Sequence, residues 1–536
     1  MAAGWPSYNC RYAMVRLTGI LTALFALAGL PASGRETKIE LYPATPGAVF
    51  DERLSGSIEG RRVKFEYYEV CHPDSSTKKH IASSRVRFAA DGPVNVELQV
   101  NGKAIKQANL RTVGRDLGFT LRGSKLSFQL PGAGHYYLGL PELAKSDATY
   151  TVFFWIDDLN NLSQTEVKPG APGVTDVTAR GVISDASKDQ SSAIQSILDR
   201  GGSIYFPAGI YRTGTLRLGS NTVLYLAAGA MLKAADNDAD FGEEFLRIDN
   251  AQNVRIAGPG TIDANGKVVG GRAIHNVNVT SCKNVVFEDV LFQNSRSWAV
   301  HIRKSDNFTA RNVKVFSGKD GFDPDSSRDV LLENIFVVSI DDSVAVKNRY
   351  PKDPDGKTTE RVTVRNAIVC STKSALKIGT ETRGPIRDIT FENCDVFDGE
   401  RGIVLYARDG GPVERAVWRD IRMFMIDWPA ENESGTAFHL TIERREAPTP
   451  VHNCLIENVT TNFIYRSGLA GLSDAPLNGI EMRNIAIKVD PPKKGRPYLF
   501  ECGDNVNLKI KRLTIDWQGN ENKWAGLVSG SGLIVE

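Results

Sequence analysis

From about residue 200 to the C-terminus, apolar and polar positions alternate in short runs that never lengthen into helical periodicity. Such runs begin at NVRI (253), NVVF (284), NFTA (307), DVLL (329), RVTV (361), RDIT (387), NCLI (453), NGIE (478) and NLKI (507). Each is followed within a few residues by a second alternating piece, such as NVKVF (312–316), NIFVV (334–338) or NAIVC (366–370). The spacing of roughly 22–32 residues, made irregular by insertions, predicts stacked coils. A leucine-rich repeat would need a fixed Leu and Asn ladder, but β-branched residues dominate here. A propeller would need tight hairpin turns, and none is present. The pattern therefore predicts an all-β chain in which residues 172–536 form a right-handed parallel β-helix.

Between Lys188 and Arg200 the period changes: Ile194, Ile197 and Leu198 fall at helical spacing, with Asp185 or Ser187 as the expected N-cap and Gly201-Gly202 as the stop. SIYFPAGIY (203–211) then reads as one strand. A β-helix leaves a full cross-section of core open at its end, and this helix is placed to cover it. Ahead of it, residues 36–165 read as strands alone, broken by Gly, Pro and Asp turns. RVKFEYYEV (62–70), RVRFAADGPVNVELQVNG (85–102), KLSFQLPG (125–132), GHYYLGL (134–140) and ATYTVFFWIDD (148–158) predict a β-sandwich domain, joined to the β-helix through KPGAPGVTD (168–176).

Residues 1–34 read as a secretory signal: Arg11 and Arg16 precede an apolar run from Leu17 to Leu30, followed by small residues at Ala32, Ser33 and Gly34. The run is shorter than the ~20 residues a membrane span needs, so the expected location is secreted or periplasmic. Composition adds little: 41% of the 536 residues are hydrophobic, enough for a large core, and 65 Lys+Arg nearly balance 63 Asp+Glu. With no basic tract, a nucleic-acid partner is not expected. The seven cysteines show no metal-ligand spacing, so no zinc site is expected and most read as buried free thiols.

Two segments interrupt the repeat with carboxylates, KDGFDPDSS (319–327) and SIDDSVAVK (339–347). A lone Asp pair is usually a turn, but two sets on successive coils are brought together by stacking. If Val300, Phe322, Val344, Leu376 and Ile403 point inward at one level, three ladders follow. The first is Trp298, Asp320, Asp342, Ser374 and Arg401; the second is His301, Asp323, Ala345, Lys377 and Val404; the third is Arg303, Asp325, Lys347, Gly379 and Tyr406. Neighbouring strands lie ~4.8 Å apart, so Asp320 and Asp342 nearly touch, with Asp341 beside them. Crowded carboxylates raise at least one pKa, which separates an acid from a base as glycoside hydrolysis requires. Trp298, His301, Asp323, Lys347, Lys377, Glu381, Arg401 and Tyr406 are the expected substrate-binding residues. Asp325, opposite Lys347 and Arg303, is expected to form salt bridges. Calcium-assisted elimination, as in a lyase, is the rival chemistry.

At these residues the chain resembles the polygalacturonase-like glycosidases of glycoside hydrolase family 28, and their relatives the dextranases and isopullulanases. The resemblance covers about 175–530 and rests on SSAIQSILDRGGSIYFPAGIYRTGTLRL (191–218), GPGTIDANG (258–266), DGFDPDSSRDVLLEN (320–334) and DDSVAVK (341–347). It implies that Asp341 protonates the leaving group, that Asp320 and Asp342 activate water, and that configuration inverts without a covalent intermediate, cofactor or metal. The N-terminal sandwich is similar to the dextranase and isopullulanase arrangement. The chain departs from the family in two places: its Gly-His-Gly falls here at Lys373-Ser374-Ala375, and the Arg-Ile-Lys that grips a galacturonate carboxylate falls at Val404-Leu405-Tyr406. The resemblance therefore implies a polysaccharide or oligosaccharide substrate other than plain polygalacturonan, with Arg401 as the candidate to replace the histidine. The missing histidine also leaves an inactive carbohydrate-binding β-helix as the alternative. Loops 348–360 and 425–436 would decide whether one end of the groove is closed.

Overall fold

Alternation becomes strands throughout the computed structural model, which describes residues 36–71, 80–144, 150–236, 242, 244–266, 274–350, 358–426, 435–463, 466–489, 498–517 and 528–536. The expected signal at 1–34 and most of the two groove loops lie outside these residues. Among the described residues, no helix is long and apolar enough to cross a membrane.

The expected sandwich is present between Ile39 and Asp158, as an eight-stranded and a five-stranded sheet. Its core holds Phe65, Phe88, Val96, Leu98, Leu126, Leu138 and Phe154. Pairing is antiparallel except for Thr151–Asp158, which runs parallel to His80–Ala90. Strands alone were expected here, but a short helix, Leu159–Thr165, follows Asp158, whose side chain accepts from the backbone N–H of Asn160 at 2.9 Å. A polar segment with an Asp cap forms a helix of about two turns even where hydrophobic periodicity is lacking.

From Val174 onward every ladder is parallel, in a 12-stranded sheet and a 23-stranded sheet that wraps around the remaining sides of the coil. The expected inward register is observed: Val300 pairs with Phe322, Phe322 with Val344, Val344 with Leu376 and Leu376 with Ile403, all fully buried. Each coil adds a layer to one continuous core that no single coil could bury. The helix Ser191–Leu198 lies on this core through Ile194, Ile197 and Leu198. Its cap differs from expectation. Asp185 accepts from Ser187 N–H, ahead of the helix, while Asp189 accepts from Ser191 N–H at 3.0 Å. The predicted strand 203–211 is two, Gly202–Phe206 and Gly209–Thr213, because Pro207 cannot donate to the ladder and turns the chain between them. The first parallel strand, Val174–Asp176, starts inside the stretch read as a linker.

The corners between strands use left-handed backbone. Asn221, Asn253, Asn284 and Asn307 all have φ near +57°, a region only Gly and Asn visit at little cost. Their amides form a ladder: Asn253 donates to Asn221 at 2.9 Å, Asn284 to Asn253 at 3.0 Å and Asn307 to Asn284 at 2.8 Å. Further along, the same corner carries Asp–Arg pairs, with Arg361 bidentate on Asp329 and Arg415 bidentate on Asp388.

Replacing Asn284 removes two ladder bonds, and any residue with a Cβ adds left-handed strain. Asn284→Ala should cost about 1–3 kcal/mol and Asn284→Gly less, read as a larger drop in melting temperature for Ala. Equal drops would show that the backbone strain is negligible.

Candidate active site

The two acidic segments sit in the turns that enter successive strands of the 12-stranded sheet, Phe322–Asp325 and Val344–Asn348. Parallel pairing places the turns one above the other, with Gly321 N–H donating to Asp342 O at 2.8 Å. Oxygens of Asp320, Asp341 and Asp342 all lie within 4.8 Å of one another. Three carboxylates this close would repel strongly without counter-charge, and two lysines supply it. Lys347 Nζ lies 2.8 Å from Asp320 and 2.5 Å from Asp323, and Lys377 Nζ lies 2.6 Å from Asp342. Asp342 N–H also donates to the Asp320 carboxylate at 3.3 Å.

These contacts divide the carboxyls electrostatically. Burial tends to push the Asp342 carboxyl up, but Lys377 and Lys347, with hydrogen bonds from Lys377 and Ser374, hold it below the usual carboxylate range. Asp341 has no such partner. Burial, followed by the charges of Asp320 and Asp342, pushes it up to about 7, opposed only in part by Lys377 and Lys319. Asp320 and Asp342 are 3% and 4% exposed, whereas Asp341 is more accessible. The arrangement therefore sets a carboxyl that holds its proton on the acid side of about pH 7 beside an ionised, lysine-bound one.

Several expected substrate-binding groups face one another inside the wall. Asp323 is fully buried, and burial and then the neighbouring Asp320 raise its carboxyl well above the usual range despite Lys347. Lys347 and Lys377 are consumed by carboxylates. Asp325 pairs in register with Lys347 and Arg303, as expected, but forms no salt bridge with either. Lys347 reaches toward Asp320 instead, and Asp325 accepts from Arg349 N–H at 3.0 Å and lies 3.3 Å from His301 Nε2. Burial lowers the His301 pKa. The cations that oppose the rise at Asp341 are Lys377 and Lys319, not the expected Arg401, whose guanidinium lies 4.0 Å from Glu400.

Trp298, half-buried, lies edge-on to His301 at 4.9 Å and carries Lys347 Nζ 3.7 Å from its ring centre. Tyr406 donates to Glu443 at 3.0 Å, and Arg408 lies 5.0 Å over its ring. Glu381 lies 4.0 Å from Arg445. Groups that sequence reading did not select include Ser317, Ser339 and Ser371, whose hydroxyls donate to the backbone carbonyls of Asp320 (2.7 Å) and Asp341 (3.0 and 2.6 Å). Their signal was a serine repeated at the same point of successive coils. A calcium ion takes 6–8 oxygens and would have to compete with Lys347 and Lys377, which hold one oxygen each of Asp320 and Asp342.

A probable polygalacturonase of Vitis vinifera is 25% identical over 355 residues, covering 58% of this chain and 72% of that one. The family 28 exopolygalacturonase of Yersinia enterocolitica shares the fold, with TM-score 0.51 and 15% identity over 83% of this chain and 96% of that one. Dex49A of Penicillium minioluteum shares it over 93% of this chain and 96% of that one, with TM-score 0.57 and 12% identity. The pattern of the glycosyl hydrolases family 28 matches residues 203–494, more than half of the chain. The protein belongs to the glycosyl hydrolases family 28 and is a glycoside hydrolase of the polygalacturonase-like group.

Proposed function

We propose that the protein is an exported inverting hydrolase of O-glycosidic bonds in a polysaccharide or oligosaccharide other than plain polygalacturonan. The observation that carries this is the clustering of Asp320, Asp341 and Asp342, whose oxygens lie within 4.8 Å of one another while lysines bind Asp320 and Asp342. Asp341, protonated up to about pH 7, is the general acid that gives its proton to the leaving oxygen. Asp320 and Asp342, held by Lys347 and Lys377, form the base that takes a proton from the attacking water. The three carboxyls are closer together than the ~6.5–9.5 Å common in inverting enzymes and nearer the ~5–5.5 Å of retaining ones. Two features support inversion nonetheless. Asp320 and Asp342 are almost wholly buried, which hinders direct attack on a sugar carbon but leaves reach for a water. Their lone pairs also accept from ammonium groups, which weakens them as nucleophiles. Lys347 and Lys377 are both ion-paired, so neither provides the free base that an eliminating lyase would use.

The substrate reading rests on the groove downstream of the acids. Val404 and Tyr406 occupy the register positions beside Lys377 and Gly379, where the family motif would place Arg and Lys. An aromatic ring hydrogen-bonded to Glu443 suits the face of an uncharged sugar better than a carboxylate. Export is supported by the charged and apolar pattern of residues 1–34.

Asp341→Asn should lower kcat by about 10²–10⁴-fold while keeping the fold, measured as reducing-sugar release on defined glycans. The wild-type pH profile should be bell-shaped. Its alkaline limb falls near 7 as Asp341 loses its proton, and its acid limb falls below the usual carboxylate range as Asp342 gains one. An active Asp341→Asn enzyme would refute the acid assignment. Lys377→Met removes the ammonium that keeps Asp342 ionised, so the acid limb should move to higher pH; an unmoved limb would put the base elsewhere. Proton NMR during the first turnovers should show the product anomer opposite to the substrate's, and the same anomer would establish double displacement.

A further inference from the structure

The strand Thr151–Asp158 of the sandwich is buried on both faces. Val152, Phe154 and Ile156 point into the sandwich's own core. Phe153, Trp155 and Asp157 point the other way, onto the β-helix. Phe153 and Trp155 join Tyr68, Val70, Ile81 and Tyr137 in a second apolar cluster with β-helix residues. The contacts fall on successive strands. On Lys314–Ser317, Lys314 Nζ lies 2.7 Å from Asp157, and the Phe316 ring centre is 6.0 Å from that of Phe153 and 5.6 Å from that of Trp155. On Phe336–Ser339, the Phe336 ring is 4.8 Å from Phe153 and 5.4 Å from Trp155. Ile368 and Cys370 of the next strand are buried in the same cluster, and Phe397 stacks on Tyr137 at 5.0 Å.

Two of these strands, Lys314–Ser317 and Phe336–Ser339, deliver the acidic turns, and the third, Ile368–Ser371, stacks beside them. Each ends in a serine of one register ladder, Ser317, Ser339 and Ser371. Those three hydroxyls hold the backbone carbonyls of Asp320 and Asp341. Ile340, next to Asp341, is itself buried in the shared cluster. One sheet of the sandwich thus packs along three short strands, and two of them, Lys314–Ser317 and Phe336–Ser339, lead into the turns that carry Asp320 and Asp341.

We propose that Phe153 and Trp155 are positioning residues for hydrolysis, and that the sandwich is the template that sets the spacing of Asp320 and Asp341. This rests on the assignment of Asp341 as the acid. Hydrogen-bond networks at an active site transmit small displacements into large rate losses, and an error of ~1 Å can cost about 100-fold. The groups facing Asp341 are Asp320, Asp342, Lys377 and Lys319. If the turns separate and water enters, both causes of its raised pKa weaken.

The test compares the full-length wild-type enzyme with Phe153→Ala, Phe153→Leu, Phe336→Leu and Phe128→Ala. Phe128 packs on Phe154 in the sandwich's own core and reports stability alone. Phe153→Ala should lower kcat by about 10–100-fold, change KM less than about twofold, and move the alkaline limb to lower pH. Phe153→Leu should recover most of both, and Phe336→Leu should shift the limb in the same direction from the β-helix side. Phe128→Ala should lower the melting temperature but leave the pH profile in place. The template is refuted if Phe153→Ala keeps the wild-type kcat and profile, or if Phe128→Ala moves the profile equally. Should Phe153→Ala not fold, a wild-type profile in Phe336→Leu refutes it as well. An inactive Asp341→Asn beside an unchanged Phe153→Ala profile would undo the template alone, whereas an active Asp341→Asn would undo the acid assignment itself.

Discussion

Parallel hydrogen bonding between successive coils is the constraint on which the rest of this molecule depends. It fixes the separation of equivalent residues at ~4.8 Å, whatever their chemistry. For Val300, Phe322, Val344, Leu376 and Ile403 that separation gives dense apolar packing. For the corner asparagines it gives a chain of amide bonds. For Asp320 and Asp342 it enforces a proximity that the charges oppose, and the fold tolerates it because Lys347 and Lys377 are brought in by the same stacking. A mismatch is left over: two lysines bind Asp320 and Asp342, and burial with their charges pushes the third carboxyl, Asp341, up to about 7.

The register was legible because apolar residues at period two admit only one inward face, so Phe322, Val344 and Leu376 locked the ladders. The clustering of the three aspartates followed directly. The direction of long side chains did not follow. Lys347 lies beside Asp325 on the backbone, yet its ammonium crosses to Asp320 and Asp323, because His301 and Arg349 already satisfy Asp325. Arg401 lies on the ladder of the acids but leans toward Glu400. A flexible stem of several carbons lets the deepest uncompensated charge choose its partner, and periodicity carries no record of that choice. Local signals failed where one residue decides, as at Pro207 and Asp189.

The docking of the sandwich was also missed, although a signal existed. VFFWI within Thr151–Asp158 is apolar at every position, which is the mark of a strand covered on both sides, while its neighbours alternate. A two-sided strand in a small sandwich calls for a second surface to cover it. Asp157, the next residue, meets Lys314 across that surface together with Arg87 and Asn312. A buried charge of this kind fixes register between layers that apolar packing alone would let slide.

The corner ladder changes character along the coil, from asparagine amides to Asp–Arg pairs. Amide ladders are indifferent to salt, whereas exposed ion pairs are screened within ~10 Å at 0.1 M ionic strength. The two stretches of the same coil therefore answer differently to their surroundings. Added salt therefore weakens the ionic corner, which begins at Asp329, more than the amide corner.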